Sequence, residues 1–195
     1  MIPVEEALRI MHDERGNSPT VLSYTGSRLW RYISTRPELD LPCGSSMGKV
    51  SNVALGIALA KPERKVLAID GDGALLMNLG GLVTVAEKEP TNFCYVLLQD
   101  GVYLTTGEQP VPGVGKVDFA AIARGAGFAN CYTFDDVEEF AVQFRDILQQ
   151  PGPTFVALKV ENPPGGRNYR PADLPEPAPA RRFGEAARDM AKALS

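Results

Sequence analysis

Apolar positions along the chain fall into two alternating rhythms. Four short runs, PTVLSY (19–24), RKVLAID (64–70), NFCYVLLQ (92–99) and PTFVALKV (153–160), are apolar nearly throughout and bounded by Gly, Pro, Asn or Asp. That is the pattern of strands buried on both faces. Around them the apolar residues return every three or four positions, predicting helices over 4–15, 27–35, 47–60, 75–88, 117–126 and 135–149. Several of these open on Ser or Asp, which cap free backbone N–H groups. Strands alternating with helices predict an α/β fold, a three-layer α/β/α sandwich around a mostly parallel sheet. From Pro163 the segment PPGGRNYRPADLPEPAPARR is dense in Pro and Gly. A compact domain over 1–162 is therefore expected to be followed, over 163–195, by a Pro-rich arm and a short terminal helix from about Glu185.

The totals narrow the class. A chain of 195 residues suits one substantial core. No apolar run approaches the roughly 20 residues needed to cross a bilayer, and the start MIPVEEALRI carries Glu where a secretory signal carries Lys or Arg. A soluble, cytoplasmic protein without membrane contact is expected. Cys43, Cys94 and Cys131 are odd in number and far apart, which suits neither a disulfide framework nor a Cys-x-x-Cys metal site, so reduced packing residues are expected. A net charge of −4 with scattered cations gives no basic field for nucleic acid. His12, the one histidine, has no recognisable Ser or carboxylate partner; it is expected on the surface and argues against Ser-His-Asp and zinc chemistry.

In an open parallel sheet, ligands collect beyond the carboxyl ends of the strands, so the residues that follow each run carry the information. VLSY is followed by Thr25, Gly26 and Ser27; VLAI by Asp70, Gly71, Asp72, Gly73 and Ala74; YVLLQ by Asp100, Gly101, Val102 and Tyr103. Glycines on both sides of Asp72 let the backbone approach an anion, and a helix starting near Leu75 aims its positive end at the same spot. A carboxylate inside a phosphate cradle is repulsive unless a cation lies between them. Asp72 therefore points to a hard, oxygen-ligated ion such as Mg²⁺, with Asp100 as a second ligand and the Val102 carbonyl as a third. Read alone, Gly-Asp-Gly after a strand is more often a turn than a metal site.

The joint pattern resembles a known signature. GDGALLMN, 26 residues between Gly73 and Asp100, and then DGVY are similar to the thiamine diphosphate motif, which opens with Gly-Asp-Gly and closes on paired Asn residues. The segments GSSMGKVSNVALGIALA upstream and YLTTGEQP downstream resemble those of sulfopyruvate decarboxylase beta subunits and phosphonopyruvate decarboxylases. The likeness covers about residues 20 to 160.

That resemblance implies the thiamine diphosphate-binding fold, in its pyrophosphate-binding form, and a set of roles. Asp72, Asp100 and the Val102 carbonyl would ligate Mg²⁺. Gly26, Ser27, Gly71, Gly73, Ala74 and Tyr103 would surround the cofactor. Met47 would wedge between its two rings and enforce the bent shape, and the Ser45 carbonyl, with Ser46 beside it, would face the 4′-amino group. Thr105 and Thr106 would lie near the reacting carbon. The implied activity is that of a lyase, the decarboxylation of a small 2-oxoacid. The glutamate serving the pyrimidine N1′ comes, in the family, from a separate pyrimidine-binding domain, for which this chain has no room. The resemblance therefore implies an alpha-type partner subunit and an α2β2 assembly or a multiple of it.

Two departures stand out: Asp100 replaces the usual Asn and adds a negative charge, and Ala74 stands where Ser is frequent. Alternatives are an acyloin-forming carboligase subunit, the beta subunit of a 2-oxoacid:ferredoxin oxidoreductase, which needs cysteines grouped for an iron–sulfur cluster, and a non-catalytic regulatory subunit. Read singly, Met47 also suits a core filler at the start of an apolar helix, and Thr105 and Thr106 suit turn residues before Gly107.

Overall fold

In a computed structural model, which describes every residue except Pro175 and Ala178 and the side chain of Arg167, the four apolar runs become strands of one sheet. The expected arm includes Pro175 and Ala178, which lie outside the described residues. The strands are β1 (Ile2–Pro3), β2 (Thr20–Leu22), β3 (Asp40–Pro42), β4 (Val66–Gly71), β5 (Phe93–Gln99), β6 (Val102–Tyr103), β7 (Gln109–Pro110), β8 (Asn130–Phe134) and β9 (Thr154–Glu161). The main sheet runs β3-β2-β4-β5-β9, and β8 and β1 share the outer edge of β9, β8 along residues 154–158 and β1 along 160–161. Every pairing in it is parallel, and β6 and β7 form a separate antiparallel hairpin.

Alternation of side chains along each strand divides the core into two layers. Phe93, Tyr95 and Leu97 of β5 join Phe155 and Ala157 of β9 beneath α3 (Val50–Ala60), α5 (Gly80–Lys88), α6 (Phe119–Ala126) and α8 (Phe183–Ala193). Cys94, Val96 and Leu98 face the other way with Val156 and Leu158, beneath α1 (Val4–Glu14), α2 (Tyr24–Ile33) and α7 (Val137–Gln149). All six residues of β4 are buried, because helices cover the sheet on both sides.

Several expectations need correction. The helix predicted over 75–88 is two helices, α4 (Asp72–Leu76) and α5, separated by the turn that carries Asn78. The helix predicted from residue 47 starts at Val50. The strands β1, β3 and β8 carry no clear apolar run: the first two have two and three residues, and β8 is largely half-exposed. His12 is not a free surface residue; its side chain is 15% exposed, lies edge-on to Trp30 and accepts the Thr35 N–H at Nε2. The terminal helix is more than a solvated face, since Ala186, Met190 and Leu194 enter the core. All three cysteines are free, with Cys43 and Cys94 buried and Cys131 half-buried. Among the described residues no helix is long and apolar enough to cross a membrane.

At the amino-terminal edge of the sheet a buried ion pair pins the starts of β2 and β3. Arg15, only 3% exposed, donates to Asp40 and Thr20, Ser34 donates to the other Asp40 oxygen, and the guanidinium lies 5.0 Å from the centre of the Trp30 ring. Removing one member strands a buried charge, which costs about 3–5 kcal/mol. Asp40→Ala is therefore expected to lower the unfolding free energy by about 3–5 kcal/mol in urea titrations; a loss below about 1 kcal/mol would mean that water solvates Arg15 in its place.

Candidate cofactor and metal site

Parallel pairing brings the carboxyl ends of β2, β3, β4 and β5 to one edge. The register Gly71↔Leu98 sets Asp72 one residue and Asp100 two residues beyond that pair. Asp72 is 1% exposed. Its two carboxylate oxygens accept the N–H groups of Gly73 at 2.7 Å and Gly101 at 2.9 Å. The second bond depends on Gly101, whose φ of +77° is costly for any residue with a Cβ. Asp100 accepts the Val102 N–H at 3.1 Å and the Asn162 amide at 2.8 Å. Burial, and then the neighbouring Asp100, push the Asp72 carboxyl up to about 7. Beneath them Asp70 accepts from the Tyr95 hydroxyl at 2.7 Å, and burial pushes it up to about 6.

A buried carboxylate beside a half-buried one forms a cation site by its chemistry. Among the described residues no group of three His, Cys, Asp or Glu side chains converges, so the remaining ligands of a metal here would be carbonyl, phosphate or water oxygens. That donor set fits Mg²⁺, which keeps waters and binds through one or two carboxylates together with phosphates.

Beside Asp72 lies a cleft of about 70 Å³. Ser23, Tyr24 and Thr25 form one wall, and Cys43, Gly44 and Met47 a second. Gly71 to Ala74 with Met77 form the floor, and Val102 to Thr106 close the far side. Gly73 has to be glycine: a Cβ there would meet Tyr103 Cδ1 at 2.7 Å. Met47 is 45% exposed and so is not a core filler. Its loop is held from below by the Asn78 amide, which donates to the Gly48 carbonyl and to Asn52 Oδ1, both at 2.9 Å. The Thr106 hydroxyl donates to Gln109 Oε1 at 3.1 Å within the hairpin.

Of the residues singled out in the sequence, Met47, Gly71, Asp72, Gly73, Ala74, Val102, Tyr103, Thr105 and Thr106 line this cleft, whereas Gly26, Ser27, Ser45, Ser46 and Asp100 do not. The strand ends at Leu22, two residues before the apolar run does, so Tyr24 already opens α2. Gly26 then packs on Ile69, and the Ser27 hydroxyl bonds the Tyr24 carbonyl at 3.3 Å. The helix expected to aim at the site from Leu75 begins at Asp72 itself and has five residues, and the Gly73 N–H is occupied by the Asp72 side chain. Asp100 faces a larger cavity of about 650 Å³ on the far side of Asp72, under the exposed loop 112–116. That cavity shares Asp72 with the cleft, but not the Gly71–Ala74 floor or Met47. Sequence reasoning missed Tyr24, Cys43 and Met77 on the cleft, and Asn162 behind Asp100; a polar residue directly after the last strand was the available signal for Asn162.

The description "Thiamine pyrophosphate enzyme, C-terminal TPP binding domain" matches residues 25–158. Over 66% of its length the chain is 40% identical to the sulfopyruvate decarboxylase subunit beta of Methanothermobacter thermautotrophicus, of which it covers 65%. It is 38% identical to that of Methanocaldococcus jannaschii, covering 71% of that relative, and 34% identical to the phosphonopyruvate decarboxylase of Streptomyces hygroscopicus, covering 34% of it. The fold matches a thiamine diphosphate-dependent 4-hydroxybenzoylformate decarboxylase of Rhodococcus jostii with a TM-score of 0.67 at 20% identity, over 83% of this chain and 33% of that one. The chain thus spans about two thirds of its beta-subunit relatives and about one third of the longer enzymes. With the carboxylate pair, the glycine floor and the fold in agreement, this chain belongs to the thiamine pyrophosphate enzymes, of which it carries the C-terminal TPP-binding domain.

Proposed function

We propose that the chain is the diphosphate-binding, beta-type subunit of a two-subunit 2-oxoacid decarboxylase dependent on thiamine diphosphate and Mg²⁺. The observation that carries this reading is the meeting of Asp72 and Asp100 at adjacent strand ends beside the Gly71–Ala74 floor. When bound, thiamine diphosphate supplies the carbon nucleophile and the electron sink for loss of CO₂ from a 2-oxoacid.

The chain's own part is binding and orientation. Asp72 and Asp100, with the Val102 carbonyl, hold the metal, and the metal in turn offsets the repulsion between these carboxylates and a diphosphate. The exposed Met47 props the cofactor in its reactive shape, a proximity effect. Thr105 and Thr106, both on the cleft, are the substrate-side candidates. Sulfopyruvate and phosphonopyruvate are the first substrates to test.

The only carboxylate on the cleft among the described residues is Asp72, which is engaged with the metal in this reading. That supports a second polypeptide that closes the site and contributes the acid for N1′, in an α2β2 assembly or a multiple of it.

Calorimetry should show thiamine diphosphate binding that requires a divalent ion and is abolished by Asp72→Ala; equal affinity in excess chelator would remove the metal from the site. Met47→Ala should leave stability within about 0.5 kcal/mol, as for an exposed residue, and cofactor affinity nearly unchanged, yet slow exchange of the thiazolium C2 proton by about 100-fold. Wild-type exchange would assign Met47 to ordinary packing. The purified chain alone should release no CO₂ from a panel of 2-oxoacids at saturating cofactor and Mg²⁺, and substantial turnover would refute the split enzyme.

A further inference from the structure

One wall of the cleft is the chain entering α2, and the opposite side is the hairpin β6–β7 with its turn Leu104–Thr106. Among the described residues the hairpin pairs with no strand of the main sheet. Its position relative to α2 must therefore come from side chains and from the chain packed against it. That chain is the start of the C-terminal arm. The turn Gly166–Asn168 packs on the turn Leu104–Thr106. Gly166, at a φ of +48°, comes so close that a Cβ on it would overlap the Glu108 carboxylate. Just beyond, Tyr169 packs on the layer of α1 and α2, and its hydroxyl donates to Glu5 at 3.3 Å.

Arg28 lies on α2, one helical turn after Tyr24 of the cleft wall. It is 7% exposed, and its Nη1 donates to the Gly166 carbonyl at 2.9 Å. The same carbonyl accepts the Tyr169 N–H at 3.1 Å. Nε and Nη2 have no hydrogen-bond partner, and no carboxylate lies within ion-pair distance among the described residues. A buried guanidinium left partly unpaired is costly. For the stability of α2 alone an apolar residue of similar volume would serve as well. What the arginine adds is the charge-assisted bond to Gly166.

We propose that Arg28 and Gly166 form a clasp that sets the spacing of the two cleft walls: α2 holds the arm, and the arm holds the turn that carries Thr105 and Thr106. Arg28 is a positioning residue in this arrangement and touches no reacting atom. The consequence for substrate binding rests on the function proposed above, whereas the mechanical coupling does not.

Hydrogen exchange on the full chain reads the coupling directly. Arg28→Met keeps an apolar stem and removes the donor, and Arg28→Lys keeps a donor at similar reach. The Glu108 N–H bonds the Tyr103 carbonyl across the turn at 3.1 Å. Its exchange should be about tenfold faster in Arg28→Met, the worth of one charge-assisted hydrogen bond, and the increase should exceed that at Val96 in β5. Arg28→Lys should keep most of the protection. Gly166→Ala tests the contact from its other end and should likewise speed exchange at Glu108, because the added Cβ meets that carboxylate and the backbone there is strained. In the assembled enzyme Arg28→Met should raise KM for the 2-oxoacid about tenfold while kcat and thiamine diphosphate affinity stay within about twofold, as expected when a contact made equally in ground and transition states is lost. Combined with Thr105→Val and Thr106→Val, the same change should cost less than about twofold, because the contacts through which it acts are gone.

A change at Glu108 no larger than that at Val96, or a full tenfold rise in KM on the double-threonine background, would overturn the clasp. Wild-type enzyme that binds no thiamine diphosphate at saturating Mg²⁺ would instead overturn the proposed function, and the exchange rates would still decide whether Arg28 couples the arm to the hairpin.

Discussion

Two acidic side chains leave neighbouring parallel strands at the same edge of the sheet, and their repulsion is the constraint around which the site is arranged. In an antiparallel pair the end of one strand lies beside the start of the next; parallel pairing sets β4 and β5 end to end with Gly71 opposite Leu98, and Asp72 and Asp100 emerge together. Burial takes Asp72 out of water, and with the half-buried Asp100 beside it the Asp72 carboxyl is pushed up to about 7. Backbone N–H groups from Gly73, Gly101 and Val102 absorb part of the charge. A divalent ion absorbs the rest in the proposed function.

The supports of this corner come from distant parts of the chain. Asn162 closes β9 and reaches Asp100, and Arg28 reaches from α2 to the backbone at Gly166. The loop with Met47 hangs on Asn78, in the turn between α4 and α5. In that turn the Met77 and Asn78 N–H groups bond the Ala74 and Leu75 carbonyls, and the Asn78 side chain reaches Gly48. At the far edge of the sheet the Arg15–Asp40 pair secures β2 and β3 at their starts, fixing the strands whose other ends carry the cleft walls.

The central strands and the Gly-Asp-Gly floor are legible in the sequence because they obey local rules: β4 and β5 are apolar on both faces, and glycines bracket a carboxylate at a strand end. What escapes is set by contacts far apart in sequence. Nothing near Asn162 announces Asp100, which is 62 positions away, and Arg28 lies on a helix whose pattern reads simply as amphipathic. The displacement of Gly26 and Ser27 from the cleft has a smaller cause: Ser23 and Tyr24 continue the look of a strand that the backbone has already left. Short edge strands such as β3 and β8 pair only along one or part of one neighbour, so their sequences need no long apolar run.

Exposure around the cleft bears on why its wall is open. Large apolar side chains are normally drawn inside, and a cluster of exposed ones marks a surface that is covered in the working molecule. Tyr24, Met47 and Met77 are 38%, 45% and 53% exposed, and all three line the cleft. They come from three separate segments, the start of α2, the loop before α3 and the end of α4, so no single helix face accounts for the cluster; what they share is position on the cleft. A cofactor filling the cleft would cover part of this apolar surface, and a second polypeptide closing over the cofactor would cover the remainder. Burial of the same three side chains would then contribute to cofactor affinity and to subunit association at once. On this reading the two are linked: a side chain already covered by one binder contributes nothing further to the other, so each strengthens the other only through the contacts that cofactor and partner make between themselves.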